Sequence, residues 1–532
     1  MRHERITLFS LLALSNVNAM FYYPNAQVSL LEHILVDNWG AYASNFSTAI
    51  TPCTNYVTEV GEPAVNSGRT TAAQWIRVAF HDFVTRNVTA GTGGIDASIG
   101  FETFREENKG SAFNDSFTFW RPFVNEHVSM ADLVAIGTVM SVNLCGGKYI
   151  PHRPGRIDAV HADSTTGVPE PSTSLEDTLE EFDRAGFNRE DAIALTACGH
   201  AMGSVHHGGF PEVVPELAVT PNNTNGGENF DSSRAVFDSR VVHEYIDGTG
   251  QLGGPLVSSF NETSRSDLRL YESDGNKTMK GLYEIGDGFQ DVCVDVLGRM
   301  IDTVPTAAAL LDPITPFSVK PINVTWDFDS NDKLVLSGMI RIFSDNHNPT
   351  GNPTIEINSQ TLQTEREEDK GATIFGSTET GEDVVYGETA YYSFSAPGDK
   401  LANATALRIV ADFEDDVVVP LSLGPFIVPS LTFSDAQKVN FTVAVPGDSE
   451  AATKADITVK IVVPAPQPLT LGPALVTGTG AWEADLDERD GFQLWTGTYD
   501  AGQKATGAIS LNLLQGGVVV DTLLLNGGVG GW

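Results

Sequence analysis

Apolar residues recur every three or four positions along much of the first half of the chain, a spacing that predicts amphipathic helices. These predicted helices span 71–83, 130–144, 175–184, 191–205 and 288–303. Near Pro305 the pattern changes to short runs rich in Val, Ile and Leu, separated by Gly, Pro, Asn and Asp, which predicts β-strands. Predicted strands include 333–343, 406–411 and 455–463.

The change of pattern divides the chain into regions. Its 532 residues exceed what one hydrophobic core usually needs, so a multidomain protein is expected. We predict a mostly α-helical domain at 20–308, followed by an all-β, sandwich-like C-terminal region at 309–532. No internal repeat is clear enough to choose between one large sandwich and two small ones.

The N-terminal residues have the pattern of a signal peptide. Arg2, His3 and Arg5 precede an apolar run at 6–14, and small residues lead to Ala19. That run is too short to span a bilayer, which takes about 20 apolar residues. We therefore predict that residues 1–19 are removed and that a soluble, glycosylated protein is secreted. The Asn-X-Ser/Thr triplets lie at Asn45, Asn87, Asn114, Asn222, Asn261, Asn276, Asn323, Asn403 and Asn440.

Charge and cysteine content narrow the possible partners and the compartment. A net charge of −37 and a pI of about 4.5 argue against binding to nucleic acid, whose phosphates need a surface rich in Lys and Arg. They disfavour binding to anionic membranes for the same reason. The four cysteines fit two disulfides in an oxidising compartment, the alternative being four buried thiols.

The first chemical motif lies in the helix predicted at 71–83. Arg77 and His81 are four residues apart, so they share one helix face, and Phe80 lies beside them. An imidazole that moves a proton between the two oxygens of a peroxide, next to a fixed cation that stabilises the departing charge, suits heterolytic cleavage. The alternative is an Arg and a His on a solvated helix face.

The second motif places His200 in an apolar helical segment among small residues. Gly199 and Gly203 would let a flat macrocycle approach the backbone, with His200 as the axial ligand of its iron. The alternative is a hydrogen-bonded core histidine. His206 and His207 are interpreted as ordinary surface or loop residues.

The third motif supplies an acceptor for the second ring nitrogen of such a ligand. An iron-ligating histidine usually donates its other N–H to a carboxylate or carbonyl, which orients the ring. Asp238, in Val-Phe-Asp-Ser, is the predicted acceptor. Asp231, in the similar Asn-Phe-Asp-Ser, is the alternative.

Together these segments resemble the haem peroxidase superfamily of plants, fungi and bacteria, over about residues 50–305. The resemblance implies haem b as cofactor and hydrogen peroxide as substrate. It makes Arg77 and His81 the distal catalytic pair and His200 the proximal iron ligand. Asn108 looks like the distal asparagine that accepts from the His81 ring, although Asn114 lies nearby.

The resemblance also implies one disulfide. Cys53 and Cys145 match a disulfide of fungal secreted peroxidases. Cys198 and Cys293 remain as the second pair by elimination, which sequence alone does not establish because geometry decides it.

Further positions match structural and metal-binding parts of the family pattern. Asp132 and Arg156 match a buried structural ion pair, whose disruption would leave an uncompensated charge. A distal calcium site is implied, made of carboxylates, a glycine carbonyl and a hydroxyl. A second, proximal calcium is doubtful, since Ala201 stands where secreted families carry Ser or Thr. The distal calcium ligands implied are Asp82, Gly94, Asp96 and Ser98.

The motifs mix features of different peroxidase classes. Residues 208–214 hold no tryptophan, although the cytochrome c peroxidase-like class often has one below the haem. The chain is thus similar to hybrid-type peroxidases of filamentous fungi, with an added C-terminal domain. Gln74 and Thr70 replace the two glutamates of manganese-oxidising relatives, so small phenolic donors are expected instead. Aromatic residues that could relay electrons at the surface, or simply fill the core, are Trp39, Trp75 and Trp120.

Two other classes of function compete with a peroxidase. One is a cell-wall or carbohydrate-binding protein that keeps the scaffold without the activity. The other is an Fe or Zn hydrolase using His81, His206 and His207, which lack the His-Glu-X-X-His spacing. The C-terminal region is expected either to attach to carbohydrate or to cap the helical domain, and the protein is expected to be a monomer.

Overall fold

The computed structural model describes residues 22–526 except 66–67, 165–166, 346–351, 378–382, 402, 412–415 and 448–453. The predicted signal peptide therefore lies outside the described residues. The order of elements is helical first and β-stranded second, which confirms the predicted change near Pro305. Among the described helices, none combines the length and the apolar character needed to cross a bilayer.

The helical part contains eleven described α-helices around one core. Predictions for α2, α4 and α5 are confirmed to the residue, because their apolar spacing is uninterrupted from cap to cap. The helices are α1 (Ala26–Val36), α2 (Thr71–Phe83), α3 (Ala112–Trp120), α4 (Met130–Leu144), α5 (Leu175–Arg184), α6 (Arg189–Gly199), α7 (Arg240–Asp247), α8 (Pro255–Ser258), α9 (Ser266–Tyr271), α10 (Lys277–Glu284) and α11 (Phe289–Ile301).

Covalent and ionic links hold these helices together. Both predicted disulfides are confirmed: Cys53 bonds to Cys145 at the end of α4, and Cys198 on α6 bonds to Cys293 on α11. The predicted buried ion pair between Asp132 and Arg156 is also present. The Asp132 Oδ1 lies 3.0 Å from the Arg156 Nη1, and neither side chain is exposed.

Short strands accompany the helices, and the long strands lie in the C-terminal part. The strands are β1 (Trp39–Gly40), β2 (Val57–Glu59), β3 (Glu62–Pro63), β4 (Ser204–His206), β5 (Gly227–Asn229), β6 (Val319–Phe328), β7 (Leu334–Ser344), β8 (Thr354–Ile357), β9 (Gln360–Gln363), β10 (Glu365–Ser377), β11 (Asp383–Pro397), β12 (Ala406–Val410), β13 (Val417–Pro420), β14 (Phe426–Ile427), β15 (Phe433–Ser434), β16 (Lys438–Pro446), β17 (Ile457–Pro466), β18 (Pro473–Thr479), β19 (Ala481–Arg489), β20 (Phe492–Asp500), β21 (Ile509–Gln515) and β22 (Val518–Leu525).

The C-terminal strands form two sandwiches, which settles the alternative that the sequence left open. Sandwich I combines the sheet β1-β10-β11-β7-β6 with the sheet β13-β12-β8-β9. Sandwich II combines β14-β16-β20-β19 with β18-β17-β21-β22. Each has its own apolar core, and Phe426 and Phe492 of sandwich II also pack against Phe328 of sandwich I.

Sandwich I and the start of the helical part share a β-sheet and a buried cluster of ion pairs. Strand β1 lies directly after α1, yet it pairs with the edge strand β10 of sandwich I. The buried Glu32 carboxylate of α1 accepts from Lys320 at 2.6 Å and from Arg341. Arg341 also lies 3.1 Å from Asp37, and all four side chains are almost fully buried. We call Glu32, Asp37, Lys320 and Arg341 the interface cluster.

Sandwich II contacts the helical part at a different place. Glu126 accepts from Lys460 at 3.0 Å and from Asn512 at 2.6 Å. The backbone N–H of Leu471 donates to the carbonyl of Gly100. At Gly507 a side chain would lie 2.1 Å from the carbonyl oxygen of Val124, so this contact requires glycine. Both sandwiches are thus fixed to the helical part through side chains and backbone.

Candidate active site

A cavity of about 290 Å³ opens between α2 and the end of α6. Arg77 and His81 line it from α2, and His200 lines it from the other side. Its other walls are mostly apolar, as in most small-molecule and cofactor sites. Phe80, Phe182 and Phe230 are among these apolar residues. The two histidines predicted to face one another across a cofactor therefore do line one cavity.

The geometry of α2 places its two charged side chains. The helix buries its apolar face and has Arg77 and His81 one turn apart on the cavity side. The guanidinium of Arg77 donates to the carbonyl of Lys109 at 2.9 Å and lies 5.0 Å above the Phe113 ring. Burial lowers the pKa of Arg77 to about 10, so it remains a cation at neutral pH.

Asn108 holds the ring of His81. The Nδ1 of His81 lies 2.7 Å from the Asn108 Oδ1, and the Asn108 amide nitrogen donates to the carbonyl of Glu102. That second bond fixes the amide so that its oxygen faces the ring, whereas Asn114 is exposed on α3. Burial and the nearby Arg77 lower the pKa of His81 to about 3, so the imidazole is neutral.

The opposite histidine follows the last turn of α6. The helix predicted at 191–205 is wrong at its C-terminal end, because α6 ends at Gly199 and His200 is its C-cap. The chain then turns through Gly203, at φ 95°, into β4. A side chain at Gly203 would clash with Ala73 of α2, whereas one at Gly199 would meet no atom within 4 Å. Gly199 therefore leaves free space beside His200.

The partner of His200 is Asp267, so the prediction of Asp238 is wrong. The His200 Nδ1 lies 2.7 Å from the Asp267 Oδ2, and Asp267 is on α9. Asp238 instead accepts from the backbone and side chain of Arg240. The alternative, Asp231, caps its own loop by accepting from Ser233. Asp267 was missed because its surroundings, Arg-Ser-Asp-Leu-Arg, contain no distinctive motif.

An aromatic ring packs flat against His200. The Phe230 ring lies 4.0 Å from the His200 ring, centroid to centroid, with an angle of 6° between the planes. Phe230 belongs to the Asn-Phe-Asp-Ser segment whose aspartate was considered above.

One end of the cavity is polar and incompletely hydrogen-bonded. The Thr70 Oγ1 and the Gln74 Oε1 are buried without a hydrogen-bond partner among the described residues, and Arg69 and His206 line the same cavity. Burial, together with the charge of Arg69, lowers the pKa of His206 to about 4. The interpretation of His206 as a surface residue is therefore wrong. The ring Nδ1–H of His207, by contrast, donates to the backbone carbonyl of Val214 at 2.8 Å.

These features fit a haem. The cavity offers a histidine with a fixed Nδ1 on each side, the free space beside Gly199, and apolar walls for a macrocycle. Its polar end suits the two carboxylates of the porphyrin, because the Thr70 hydroxyl, which has no partner among the described residues, and the Arg69 guanidinium can both donate to them.

Three of the predicted calcium ligands lie together: Asp82 near the end of α2, and Asp96 and Ser98 in the loop that follows it. The Asp82 carboxylate accepts backbone N–H groups of Asp96, Ala97 and Ile99, so backbone donors use part of its capacity. Ser98 also lies against Asp82. Gly94 passes through φ 102° close to the backbone of residue 303, which leaves no room for a side chain.

The electrostatics of this loop are unfavourable without a cation. Burial, followed by repulsion from Asp163, raises the pKa of Asp96 to about 7. Burial and the neighbouring Asp96 raise the pKa of Asp82 well above its usual range. Within the described part of the chain, no group of three or more His, Cys, Asp or Glu side chains is arranged to hold a metal ion. The predicted calcium ligands include only two such side chains, Asp82 and Asp96, so this finding does not test them.

Known proteins match parts of the chain. Residues 57–281 match the family model described as peroxidase. A WSC domain-containing protein of Arthroderma benhamiae is 37% identical over 350 residues, 65% of this chain and 46% of that protein. L-ascorbate peroxidase 5 of Arabidopsis thaliana is 35% identical over 145 residues, 27% of this chain and 51% of that protein.

A fungal enzyme is also similar to part of the chain. A mitochondrial cytochrome c peroxidase of Cryptococcus neoformans is 33% identical over 136 residues, 25% of this chain and 36% of that protein. The chain thus spans about half or less of each of these relatives.

Proposed function

The chain carries a domain of the plant, fungal and bacterial haem peroxidase family, and from this premise we propose that it reduces hydrogen peroxide at the cavity between His81 and His200. The observation that supports this most is that each histidine has its Nδ1 engaged, by Asn108 and by Asp267, while both rings line one cavity. Each ring thereby keeps its Nε2 for the cavity.

His200 is the residue that would hold haem b through its iron. Asp267 accepts a hydrogen bond from the Nδ1–H of His200. This bond fixes the ring and makes the Nε2 of His200 a stronger electron-pair donor to a metal ion. Phe230, stacked on the ring, limits its rotation. When bound, the haem would supply an iron that takes oxidising equivalents from hydrogen peroxide and passes them to a donor.

His81 moves the proton of the substrate. Its pKa of about 3 keeps the imidazole neutral, so its Nε2 accepts the proton of the nearer peroxide oxygen and returns it to the farther one. Asn108 holds the ring in the orientation for this transfer. Arg77 stabilises the negative charge on the departing oxygen, and its burial strengthens that effect.

We propose small phenols as electron donors. The cavity wall next to Arg77 includes Phe210, whose ring centroid lies 5.8 Å from the Arg77 guanidinium carbon, and this offers a surface for an aromatic donor. Manganese is disfavoured because Thr70 and Gln74 present no carboxylate. Steady-state assays with phenols and with Mn²⁺ test this: turnover with manganese alone would contradict it.

The test of the main proposal combines spectroscopy with turnover. The full chain reconstituted with haem is expected to show a Soret band that changes on adding peroxide, and to oxidise a phenol. His81→Ala should keep the Soret band but lose most turnover, whereas His200→Ala should weaken haem retention. A protein that takes up no haem would favour the alternative, a binding protein on a peroxidase scaffold.

We further propose one distal calcium ion at Asp82, Asp96, Ser98 and the Gly94 carbonyl. Two buried carboxylates that face no cation in the described part of the chain support it, since a bound cation would remove their repulsion. Isothermal titration of the chelator-treated chain with Ca²⁺ tests it. Binding that survives Asp96→Asn unchanged would contradict this assignment.

We propose that the mature protein is secreted as a monomer, with the sandwiches acting mainly as a cap on the helical domain. The basic and apolar residues before Ala19 and the two disulfides support secretion. The extensive contacts of β1 and of Glu126 with the sandwiches support the cap. Carbohydrate contact is the second candidate, because one relative is named for a WSC domain. Retention on chitin or β-glucan resin would favour that candidate.

A further inference from the structure

Side chains that could be oxidised lie one layer behind the cavity wall. Among the described residues that line the cavity, the aromatic ones are phenylalanines and histidines, with no tyrosine or tryptophan. Trp75 and Trp120 are fully buried in the core, and Trp39 is exposed at the distant β1. Tyr56 and Tyr271, by contrast, are buried beside residues of the cavity wall, namely Arg69 and Leu270.

The hydroxyl of Tyr56 has both a proton acceptor and a link to the cavity. It donates to the Asp115 Oδ2 at 2.6 Å, a length typical of a charge-assisted hydrogen bond. The Arg69 Nη1 donates to the same phenolic oxygen at 3.0 Å, and Arg69 lines the cavity. Tyr56 is only 7% exposed and Asp115 only 8%, so bulk water contributes little to this contact.

Tyr271 offers the contrasting case within the same domain. Its side chain is fully buried, and its hydroxyl has no hydrogen-bond partner among the described residues. Oxidation of a phenol becomes favourable only when its proton leaves with the electron, because the protonated radical cation is a strong acid. Tyr56 has a carboxylate to take that proton, and Tyr271 has none within hydrogen-bond distance in the described part of the chain.

We propose that Tyr56 is an internal electron donor to the haem site. After peroxide has oxidised the site, Tyr56 gives it one electron and gives its hydroxyl proton to Asp115. A neutral tyrosyl radical and a protonated carboxyl group result, and the site is reduced by one electron. The inference rests on the proposed peroxidase function, since hydrogen peroxide is the oxidant. Tyr56 would thus hold one oxidising equivalent when the cavity contains no external electron donor.

The test uses the full chain reconstituted with haem and mixed with one equivalent of hydrogen peroxide without a donor. Freeze-quenched samples examined by electron paramagnetic resonance are expected to contain a tyrosyl radical. Tyr56→Phe should abolish this signal and slow the spontaneous return of the haem absorption to its resting form. Tyr271→Phe, the matched control, should change neither. Asp115→Asn, which keeps an acceptor but cannot hold the proton, should lower the radical yield.

A nitroso spin trap followed by peptide mass spectrometry gives the same answer without a mutation, through an adduct on the peptide containing Tyr56. A peroxide-induced absorption change with a radical that persists in Tyr56→Phe, or an adduct on other residues only, would overturn this proposal alone. Absence of any absorption change with peroxide would overturn the proposed function and this inference with it.

Discussion

Two regions of the protein bury charged groups, and they treat them in opposite ways. In the interface cluster, burial alone would raise the carboxylate pKa values, yet Arg341 and its neighbours lower the pKa of both Glu32 and Asp37. In the distal region, α2 and the loop behind it, burial acts without such compensation. There the pKa of His81 falls to about 3 and that of Asp96 rises to about 7.

This difference in charge compensation distinguishes buried charges that stabilise the fold from buried charges that are available for binding or catalysis. Every carboxylate of the interface cluster faces a cation supplied by the chain, so this region needs no ligand to be stable. The distal region instead leaves Thr70 and Gln74 without partners and Asp82 and Asp96 without a cation among the described residues. Uncompensated burial is frequent at functional sites, and here it coincides with the proposed haem and calcium positions.

The largest expected effect is that of removing the proton carrier of the distal region. His81→Ala should reduce the rate of peroxide cleavage by about 10⁴-fold, since proton transfer and the charge stabilisation that it organises are each worth about 100-fold or more. The free energy of unfolding should fall by about 1–3 kcal/mol, because the substitution leaves the buried Asn108 Oδ1 without its hydrogen-bond partner. Stopped-flow absorption measures the rate, with the exposed His161→Ala as control. A small reduction in rate would remove His81 from the mechanism.

The next largest effect is expected in the interface cluster, where a substitution should lower stability and leave activity unchanged. Arg341→Met leaves Glu32 and Asp37 buried without their main cation and should cost about 3–5 kcal/mol in the free energy of unfolding. Activity per folded molecule should be unchanged. Lys333→Met, which breaks the exposed pair with Asp490, should alter stability little. Denaturant unfolding measures both, and equal effects would contradict the structural role of the interface cluster.

Removing calcium should have a smaller effect. At a free concentration about 100 times its Kd, the ion should stabilise the fold by about 2.7 kcal/mol, and a chelator should remove that gain. The gain should shrink as the pH falls, because protons compete with the ion for the carboxylates. Asp96→Asn should be insensitive to the chelator. Thermal unfolding with and without Ca²⁺ measures this, and an equal chelator effect in both proteins would place the ion elsewhere.

The smallest effect concerns the pH dependence of the rate. His81 acts as a base only when neutral, so the rate should fall as the pH drops toward its pKa of about 3. After burial, Arg77 is the next cause of that low pKa. Arg77→Gln should therefore move the acid limb of the profile to higher pH, by about one unit or 1.4 kcal/mol. An acid limb that does not move would show that burial alone sets the pKa.

Sequence predicted those parts of the site that depend on local spacing. Arg77 and His81 follow from helical periodicity, and the segment around His200 follows from its small residues. Asp267 could not be found in this way, because its contact with His200 spans 67 residues and depends on how α9 packs beside α6. The true end of α6, at Gly199, was missed because the apolar residues Ala201, Met202 and Val205 continue the helical pattern beyond it.

The fold shows the same division. The helices at 71–83, 130–144 and 175–184 were predictable because each carries its own periodic signal. The pairing of β1 with β10 was not, since a two-residue strand has no periodicity and its partner lies more than 300 residues away. The low pKa of His206 likewise depends on tertiary structure, because it results from burial and from the charge of Arg69, which is distant in sequence.

The electronic spectrum of the ferric protein, reconstituted with one haem per chain, tests most directly how the two histidines differ. We expect iron bound by one histidine, with His200→Ala losing that bond and His81→Ala retaining it. An iron bound by two histidines, or a haem that stays unbound in the wild-type chain, would contradict the claim that His81 faces the haem without binding it.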